Sequence, residues 1–321
     1  MIAFYTDHFV LPLPEGHTFP MAKYSRLREL VIAEGIVDAG DLRVPEAATR
    51  DELLLAHAPA YVDAVFEGTL SPQEQRRIGF PWSPAMAERA RRSVGATLAA
   101  SREALTSGVS ANLAGGTHHA FADRGEGYCV FNDIAVAARA VQQAHGIDRI
   151  LVIDLDVHQG NGTAKIFEDD ERVFTLSMHA AGNFPFRKER SDLDIELPDG
   201  TGDEAYLAAL DRGLETAMAR PRPDMVFYVA GADPYEGDRL GRLTLTIDGL
   251  RARDARVFAA VSALGVPAVV TMAGGYCPDV DVIARIHANT LREAGKRGSG
   301  AEHWGPRATE PGGVQGPPPQ D

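Results

Sequence analysis

Short apolar segments alternate with longer helical segments along most of this chain, and this order restricts the folds open to it. Six apolar segments bounded by turn residues have the composition of buried parallel strands: 2–7, 109–114, 150–156, 172–178, 225–230 and 267–273. Helical patterns at 83–105, 133–143, 202–218 and 250–264 lie between them. The alternation predicts an α/β fold with a mainly parallel multi-stranded sheet and helices on both faces.

The composition changes only near the carboxyl end of the chain. Residues 1–295 contain no linker-like stretch and no repeat at a fixed period, which favours a single domain over residues 1–292. Residues 293–321 are rich in Gly and Pro and contain few apolar side chains. Such a segment cannot offset the entropy lost on ordering, so we expect a disordered tail there.

Charge and cysteine content exclude several classes of protein. A net charge of −13 is unfavourable for binding phosphate backbones, so no nucleic-acid partner is expected. The only cysteines, Cys129 and Cys277, cannot form a disulfide framework, which favours a reducing compartment. No basic and apolar leader and no apolar run long enough for a membrane span is present, so the sequence predicts a cytoplasmic protein without a membrane partner.

Three ionisable residues follow one another at a spacing of two in ILVIDLDVHQGNG: Asp154, Asp156 and His158. Alternate side chains of an extended chain share a face, so Asp156 and His158 are natural ligands for one cation. Asp233 directly follows another predicted strand and would complete a site with three protein ligands. Each feature taken alone is also compatible with a helix cap, an incidental loop histidine or an Asp-Pro turn.

Two further motifs follow predicted strands. His118 and His119 lie beside a glycine-rich turn, and paired histidines suit proton transfer near neutral pH, although a solvated turn is the commoner reason for such a pair. In MAGGYC the glycines allow the backbone to approach a ligand and present Tyr276, which such loops more often use as a packing anchor.

The four motifs HHAFADRGEGYCVFND, DLDVHQGNG, GAD and GGY, in this order and spacing, resemble the histone deacetylase family of the arginase/deacetylase fold. The resemblance extends from about residue 2 to residue 290. The sequence HQGNG, in place of HHGDG, and HTFPMAKY at 17–24 are similar to the class IV branch and its bacterial relatives.

The resemblance implies a role for each motif residue in a metal-dependent amide hydrolase. It assigns a Zn²⁺ site, which would also accept Fe²⁺, to Asp156, His158 and Asp233. It assigns the general base, and then the acid for the leaving amine, to His119, with His118 as its electrostatic partner. Tyr276 would stabilise the oxyanion of the tetrahedral intermediate.

Supporting residues carry over from the same resemblance. Asp154 would orient His118 and help to hold a structural K⁺ with Ser177 and the backbone carbonyls of Asp156, His158 and Met178. Asn161 corresponds to the partner of His119, an Asp in class I enzymes. A neutral amide there should raise the pKa of the base less, so we expect activity to persist to lower pH than in a relative with Asp.

The resemblance also predicts how substrate is held. Tyr128 and Phe184 would form the walls of the acyl channel, and the Gly127 carbonyl would accept the substrate N–H. Leu240 stands where polyamine deacetylases carry a Glu, which favours removal of acetyl, lactyl or longer groups from lysine in proteins or peptides. Because Glu236 and Asp238 lie nearby, an acetylpolyamine deacetylase remains the alternative, and an arginase-like two-manganese enzyme or an inactive acyl-lysine reader are more distant ones.

Overall fold

A computed structural model describes residues 1–220 and 222–298 of the chain. These residues form one sheet of eight strands, all parallel, in the order β2-β1-β3-β8-β7-β4-β5-β6. The strands are β1 Ala3–Phe4, β2 Leu42–Arg43, β3 Val109–Asn112, β4 Ile150–Asp154, β5 Val173–Ala180, β6 Leu193–Leu197, β7 Met225–Val229 and β8 Ala268–Thr271. The predicted α/β fold with a parallel sheet is confirmed.

Helices cover both faces of this sheet. They are α1 Lys23–Ala33, α2 Arg50–Leu53, α3 Pro59–Glu67, α4 Pro72–Ile78, α5 Pro84–Ser107, α6 Asp133–His145, α7 Asn161–Phe167, α8 Asp203–Met218, α9 Ile247–Leu264 and α10 Val280–Gly298. Alternate residues of one strand enter two separate apolar cores: Leu151 packs in the core with α8, α9 and α10, whereas Val152 packs in the core with α5 and α6. No helix in the described part of the chain has the length and apolarity needed to cross a bilayer.

Local sequence signals explain the long helices that were predicted. At the start of α5, Ser83 accepts a hydrogen bond from the Met86 N–H and Pro84 occupies the first helical position. At the start of α9, Thr246 caps the Gly249 N–H, and the helix ends at Gly265, whose φ of 62° is left-handed. The predicted helices therefore occur where expected, with ends displaced by a few residues.

Three features differ from the sequence prediction. β4 ends at Asp154, so Asp156 and His158 lie beyond the strand in a bend. The two edge strands, β2 and β6, were not predicted: β2 has only two residues, and the sequence of β6, LDIEL, alternates with charged residues. α10 continues past Arg292 to Gly298, helped by the buried Ala294. The predicted tail beyond Gly298 lies outside the described residues and stays a prediction.

Candidate metal centre and active site

The four sequence motifs meet at one end of the sheet. They follow β3, β4, β7 and β8, which are neighbours in the order β3-β8-β7-β4. Because the strands are parallel, the loops after their carboxyl ends converge on one region, where open α/β sheets bind ligands. The fold thus brings together residues that are more than 150 positions apart in the chain, such as His118 and Tyr276.

Two consecutive turns, instead of an extended strand, bring Asp156 and His158 together. The Asp156 N–H donates to Oδ1 of Asp154 at 3.2 Å, and the His158 N–H donates to Oδ1 of Asp156 at 2.9 Å. In each case an Asp carboxylate accepts a hydrogen bond from the backbone N–H two residues later, which closes a turn that Asp residues favour. The spacing of two therefore correctly indicated that Asp156 and His158 lie close together. Turns, and not an extended strand, bring them there.

Asp233 joins this pair from the loop after β7. Its Oδ1 accepts a hydrogen bond from the Val157 N–H at 2.9 Å, and its Oδ2 lies 3.2 Å from Nδ1 of His158. Asp156 Oδ1 lies 3.0 Å from the same nitrogen. One donor atom from each of the three residues falls within 4.8 Å of the others, and all three residues are buried.

Glycine allows the backbone to surround these carboxylates closely. The Gly274 N–H donates to Oδ2 of Asp156 at 2.8 Å. A Cβ on Gly274 would lie 1.9 Å from Oδ2 of Asp233, and a Cβ on Gly231 would lie 2.6 Å from Oδ2 of Asp156. Any larger residue at either position would displace the carboxylate of Asp156 or Asp233. The close approach predicted for the glycines of MAGGYC is therefore made to the carboxylates.

The electrostatics of the three residues favour a bound cation. Burial, together with the charge of Asp156, raises the pKa of Asp233 to about 7. Burial alone would lower the pKa of His158, but hydrogen bonds and the charges of Asp156 and Asp233 raise it to about 10. Apart from the nearby Nδ1 of His158, Oδ2 of Asp233 has no polar partner among the described residues. A divalent cation would compensate the crowded negative charge and supply the missing partner, so this donor set fits a metal.

His118 and His119 have different partners and different pKa values. Nδ1 of His118 bonds Oδ2 of Asp154 at 2.7 Å; burial lowers its pKa, but the charges of Asp154 and Asp156 raise it to about 9. Nδ1 of His119 bonds Oδ1 of Asn161 at 2.7 Å. Burial and the positive charges of His118 and His158 hold the pKa of His119 well below its usual value. The first histidine therefore favours a proton, and the second favours the neutral form.

Tyr276 is fixed by two groups near its backbone. Its N–H donates to Oδ2 of Asp238 at 2.6 Å, while Oδ1 of Asp238 accepts from the N–H groups of Leu240 and Gly241. The ammonium of Lys23 donates to the carbonyls of Ala273 and Gly275 and lies 5.3 Å from the Tyr276 ring centroid. Asp238 is thus bonded to three backbone donors and does not line the cavity described next.

A cavity of about 380 Å³ opens above this centre. His119, His158 and Tyr276 line it, together with the predicted substrate-binding residues Gly127, Tyr128, Phe184 and Leu240. The Phe184 ring packs edge-on against His119, with centroids 5.1 Å apart. A Cβ at Gly127 would lie 2.7 Å from the His119 ring, so only glycine fits beside it. We refer to Asp156, His158, Asp233, His119 and Tyr276 as the site floor.

The residues predicted to hold K⁺ lie behind the floor. The β4–β5 register places Asp154 opposite Ser177, and Ser177 Oγ bonds Nδ1 of His179 at 2.9 Å. Met178 follows in the same strand and is buried. The structure therefore brings Asp154 and Ser177 side by side, as the prediction requires.

Two buried residues that the sequence did not indicate also support the centre. Asn183 Nδ2 lies 3.3 Å from Nε2 of His158 and also donates to the Leu240 carbonyl. Arg253, fully buried on α9, donates to the carbonyl of Gly231 at 2.6 Å and to that of Leu155 at 3.4 Å. Arg253 thus holds both loops that carry the candidate metal-binding carboxylates. Neither residue belongs to a local motif, so only the packing of distant segments reveals them.

Comparison with known proteins agrees with this geometry. The histone deacetylase domain matches residues 17–294. An uncharacterized protein of Picosynechococcus sp. is 44% identical over 90% of this chain and 97% of its own length. The histone deacetylase-like amidohydrolase of Pseudomonas aeruginosa is 32% identical over 83% of this chain and 74% of its own length.

A solved structure has the same fold. The histone deacetylase homologue from Aquifex aeolicus superposes with a TM-score of 0.80 and 28% identity, covering 92% of this chain and 84% of that protein. This likeness confirms the arginase/deacetylase fold predicted from the motifs. Together with the match over residues 17–294, it establishes that the chain belongs to the histone deacetylase family of linear-amide hydrolases.

Proposed function

We propose that this protein is a Zn²⁺-dependent deacylase that removes acetyl, lactyl or longer acyl groups from the side-chain amine of lysine in proteins or peptides. The observation that carries the proposal is the site floor: a buried donor set of Asp156, His158 and Asp233 lies at the end of a cavity that His119 and Tyr276 also line. When bound, Zn²⁺ would supply Lewis acidity and lower the pKa of water. Fe²⁺ would suit the same ligands.

His119 is suited to move the proton during the reaction. The bond from Nδ1 to the Asn161 carbonyl oxygen places the ring proton on Nδ1, because an amide oxygen only accepts. Nε2 of the neutral ring is then free to take a proton from the attacking water and to give it to the leaving lysine amine. His118, held protonated beside Asp154, would provide positive charge behind the floor.

Tyr276 is suited to stabilise the oxyanion. Burial, followed by the charges of Asp156 and Asp233, raises the pKa of its phenol well above the usual value, so the hydroxyl keeps its proton. Its hydroxyl forms no hydrogen bond with any described residue, which leaves it available to the substrate carbonyl. Asp238 and Lys23 hold the loop that positions the ring.

The walls favour an acyl-lysine over a polyamine. The aromatic rings of Tyr128 and Phe184 offer an apolar channel to the aliphatic lysine side chain, with the Gly127 carbonyl as acceptor for the amide N–H. Leu240 provides no charge for a second amine, and the carboxylate of Asp238 is engaged by backbone donors. The structural K⁺ with Asp154, Ser177 and the carbonyls of Asp156, His158 and Met178, the class IV branch and the cytoplasmic location remain predictions.

The test is hydrolysis of a peptide panel carrying acetyl-, lactyl- and longer-chain acyl-lysine, together with N-acetylputrescine, by the Zn²⁺-loaded protein. We expect the wild type to cleave at least one acyl-lysine peptide, with one bound metal ion per chain. Asp233→Ala should lose both metal and activity. Asp211→Ala, on an exposed site of α8, is the matched control and should retain both.

The outcomes separate the alternatives. Cleavage of N-acetylputrescine alone would replace the proposal with the polyamine alternative. Two manganese ions per chain with activity on a guanidino substrate would identify an arginase-like enzyme. Binding of one metal ion and of acyl-lysine peptides without any hydrolysis would identify a reader.

A further inference from the structure

The mouth of the cavity carries positive charge, in contrast to the chain as a whole. Arg76, Arg77 and Arg242 line the cavity with exposed side chains, and no Asp or Glu is among its described lining residues. The net charge of the whole chain is −13, so this concentration of arginine is local. We call these three residues the arginine rim. The exposed Phe186, at 84% accessibility, also lines the mouth.

The charge of the rim is largely available to a ligand. Neither Arg76 nor Arg77 forms a salt bridge with a described residue. Arg242 pairs with Asp199 at 3.0 Å, but both side chains are about half exposed, and such a pair is weak and screened by salt. Basic residues in the last turn of a helix stabilise its carboxyl end, which accounts for Arg76 and Arg77 on α4. It does not account for Arg242, which reaches the same mouth from another loop.

Backbone bonds fix the rim to the walls of the channel. The Gly127 N–H donates to the Arg77 carbonyl at 3.1 Å, and the Tyr128 N–H donates to the Ile78 carbonyl at 2.7 Å. The Arg242 N–H donates to Oδ1 of Asn183 at 2.9 Å, and Asn183 also contacts His158. The backbone of the rim is thus held beside the segments that would enclose a bound acyl-lysine, so the exposed guanidinium groups would meet the residues flanking it.

We propose that the arginine rim selects polypeptides in which acidic residues flank the acyl-lysine and disfavours those with basic flanks. The inference rests on the proposed deacylase function, since it concerns the residues on either side of the lysine that enters the channel. Guanidinium groups bind carboxylates through paired hydrogen bonds, so the rim complements Asp and Glu. Two or three exposed ion pairs correspond to a preference of about tenfold in kcat/KM.

The experiment compares three peptides of equal length with the same central acyl-lysine and flanking Asp/Glu, Lys/Arg or Ser/Ala. Affinity is measured by fluorescence anisotropy, and kcat/KM by hydrolysis, at low and physiological salt. The variant Arg76→Gln/Arg77→Gln/Arg242→Gln removes the rim. The control Arg50→Gln/Arg102→Gln/Arg172→Gln makes the same change in net charge at exposed sites outside the cavity lining.

We expect the acidic peptide to bind about tenfold more tightly than the basic one, with a difference that shrinks as salt rises. The rim variant should abolish the preference, and the control should keep it. Equal affinities for acidic and basic peptides in the wild type, or a preference that survives in the rim variant, would overturn the inference. Hydrolysis of all three peptides at similar rates would also overturn the inference about the arginine rim, but it would leave the deacylase proposal intact. Selective binding of the acidic peptide without hydrolysis would support the rim and contradict the deacylase.

Discussion

The site floor and the arginine rim belong to one cavity but are built in opposite ways. The floor side chains are buried, and hydrogen bonds with neighbouring side chains or backbone groups hold His119, Asp233 and Asp156 in place. The rim side chains are exposed and have few partners of their own. A buried, preorganised set of groups suits chemistry that must occur at fixed distances, whereas exposed charges suit selection among flexible substrates. The two proposals therefore assign catalysis to the floor and substrate selectivity to the rim of one cleft.

The largest effect is expected from replacing Arg253, the buried residue that supports the loops carrying Asp156 and Asp233. Arg253→Met would leave the carboxylate of Asp254, which bonds the Arg253 guanidinium, Tyr228 and Thr290, as an uncompensated buried charge. We expect the free energy of unfolding to fall by about 3–5 kcal/mol, measured by urea denaturation. Metal affinity should also fall, by about 10- to 100-fold, because the carbonyls of Gly231 and Leu155 lose their donor.

Arg256→Met is the matched control on the same helix, because Arg256 is only partly buried and pairs with the exposed Asp211. Its effect on unfolding should be much smaller, since exposed ion pairs contribute little. Equal stability of the two variants would show that the floor does not depend on the buried guanidinium. A destabilised Arg253 variant with unchanged metal affinity would show that Arg253 supports the fold but not the ligand loops.

The next test removes one floor group without disturbing its packing. Tyr276→Phe keeps the ring but deletes the hydroxyl, so kcat should fall by about 10²–10³, the usual cost of losing one oxyanion donor. The metal content should not change, because Tyr276 is not among the three proposed metal ligands. Steady-state kinetics measures the fall in kcat, and metal analysis of the purified variant checks that the metal content is unchanged.

Tyr235→Phe, in the loop that follows β7, is the control for loss of a phenol elsewhere in the region and should keep kcat near the wild-type value. A Tyr276→Phe enzyme with wild-type kcat would assign the tyrosine to packing, the role that such a residue more often has in a glycine-rich loop. A lower affinity for substrate with unchanged kcat would assign it to binding instead.

The same contrast explains which parts of the molecule the sequence could predict. Asp154, Asp156 and His158 are close in the chain, and the strand before them is apolar, so their association is visible locally. The placement of Asp233 beside these residues could be predicted from one rule, that loops after parallel strands converge at the same end of the sheet. The six buried strands were found because they are mostly apolar, whereas the edge strands were missed: β2 has only two residues, and β6 carries charged residues.

The remaining parts depend on contacts between distant segments. Arg253 reaches Leu155 across 98 positions in the chain, and Asn183 meets Leu240 across 57. The arginine rim combines α4 with the loop after β7, and no spacing rule relates these segments. Even at the candidate metal site, the spacing of two correctly indicated that the residues lie together, but their geometry is different: the chain turns after Asp154 because Asp side chains accept hydrogen bonds from backbone N–H groups two residues later.

The smallest expected effect concerns Asn161, the partner of His119, and it sharpens the comparison by adding a charge next to the floor without changing the shape of the side chain. Asn161→Asp would place a carboxylate 2.7 Å from Nδ1, where the wild type has an amide oxygen. A negative charge stabilises the protonated ring and so raises the pKa of His119, which burial and the charges of His118 and His158 now lower. Since a histidine acts as a general base only when neutral, the acidic limb of the pH profile of kcat/KM should move to higher pH in the variant.

The wild type should therefore remain active at a lower pH than Asn161→Asp. The control Asn289→Asp, on α10 and outside the cavity lining, should leave the acidic limb where it is in the wild type. Identical acidic limbs in wild type and Asn161→Asp would mean that His119 does not set this limb or that Asn161 does not tune it, and the assignment of the general base would then need to be revised.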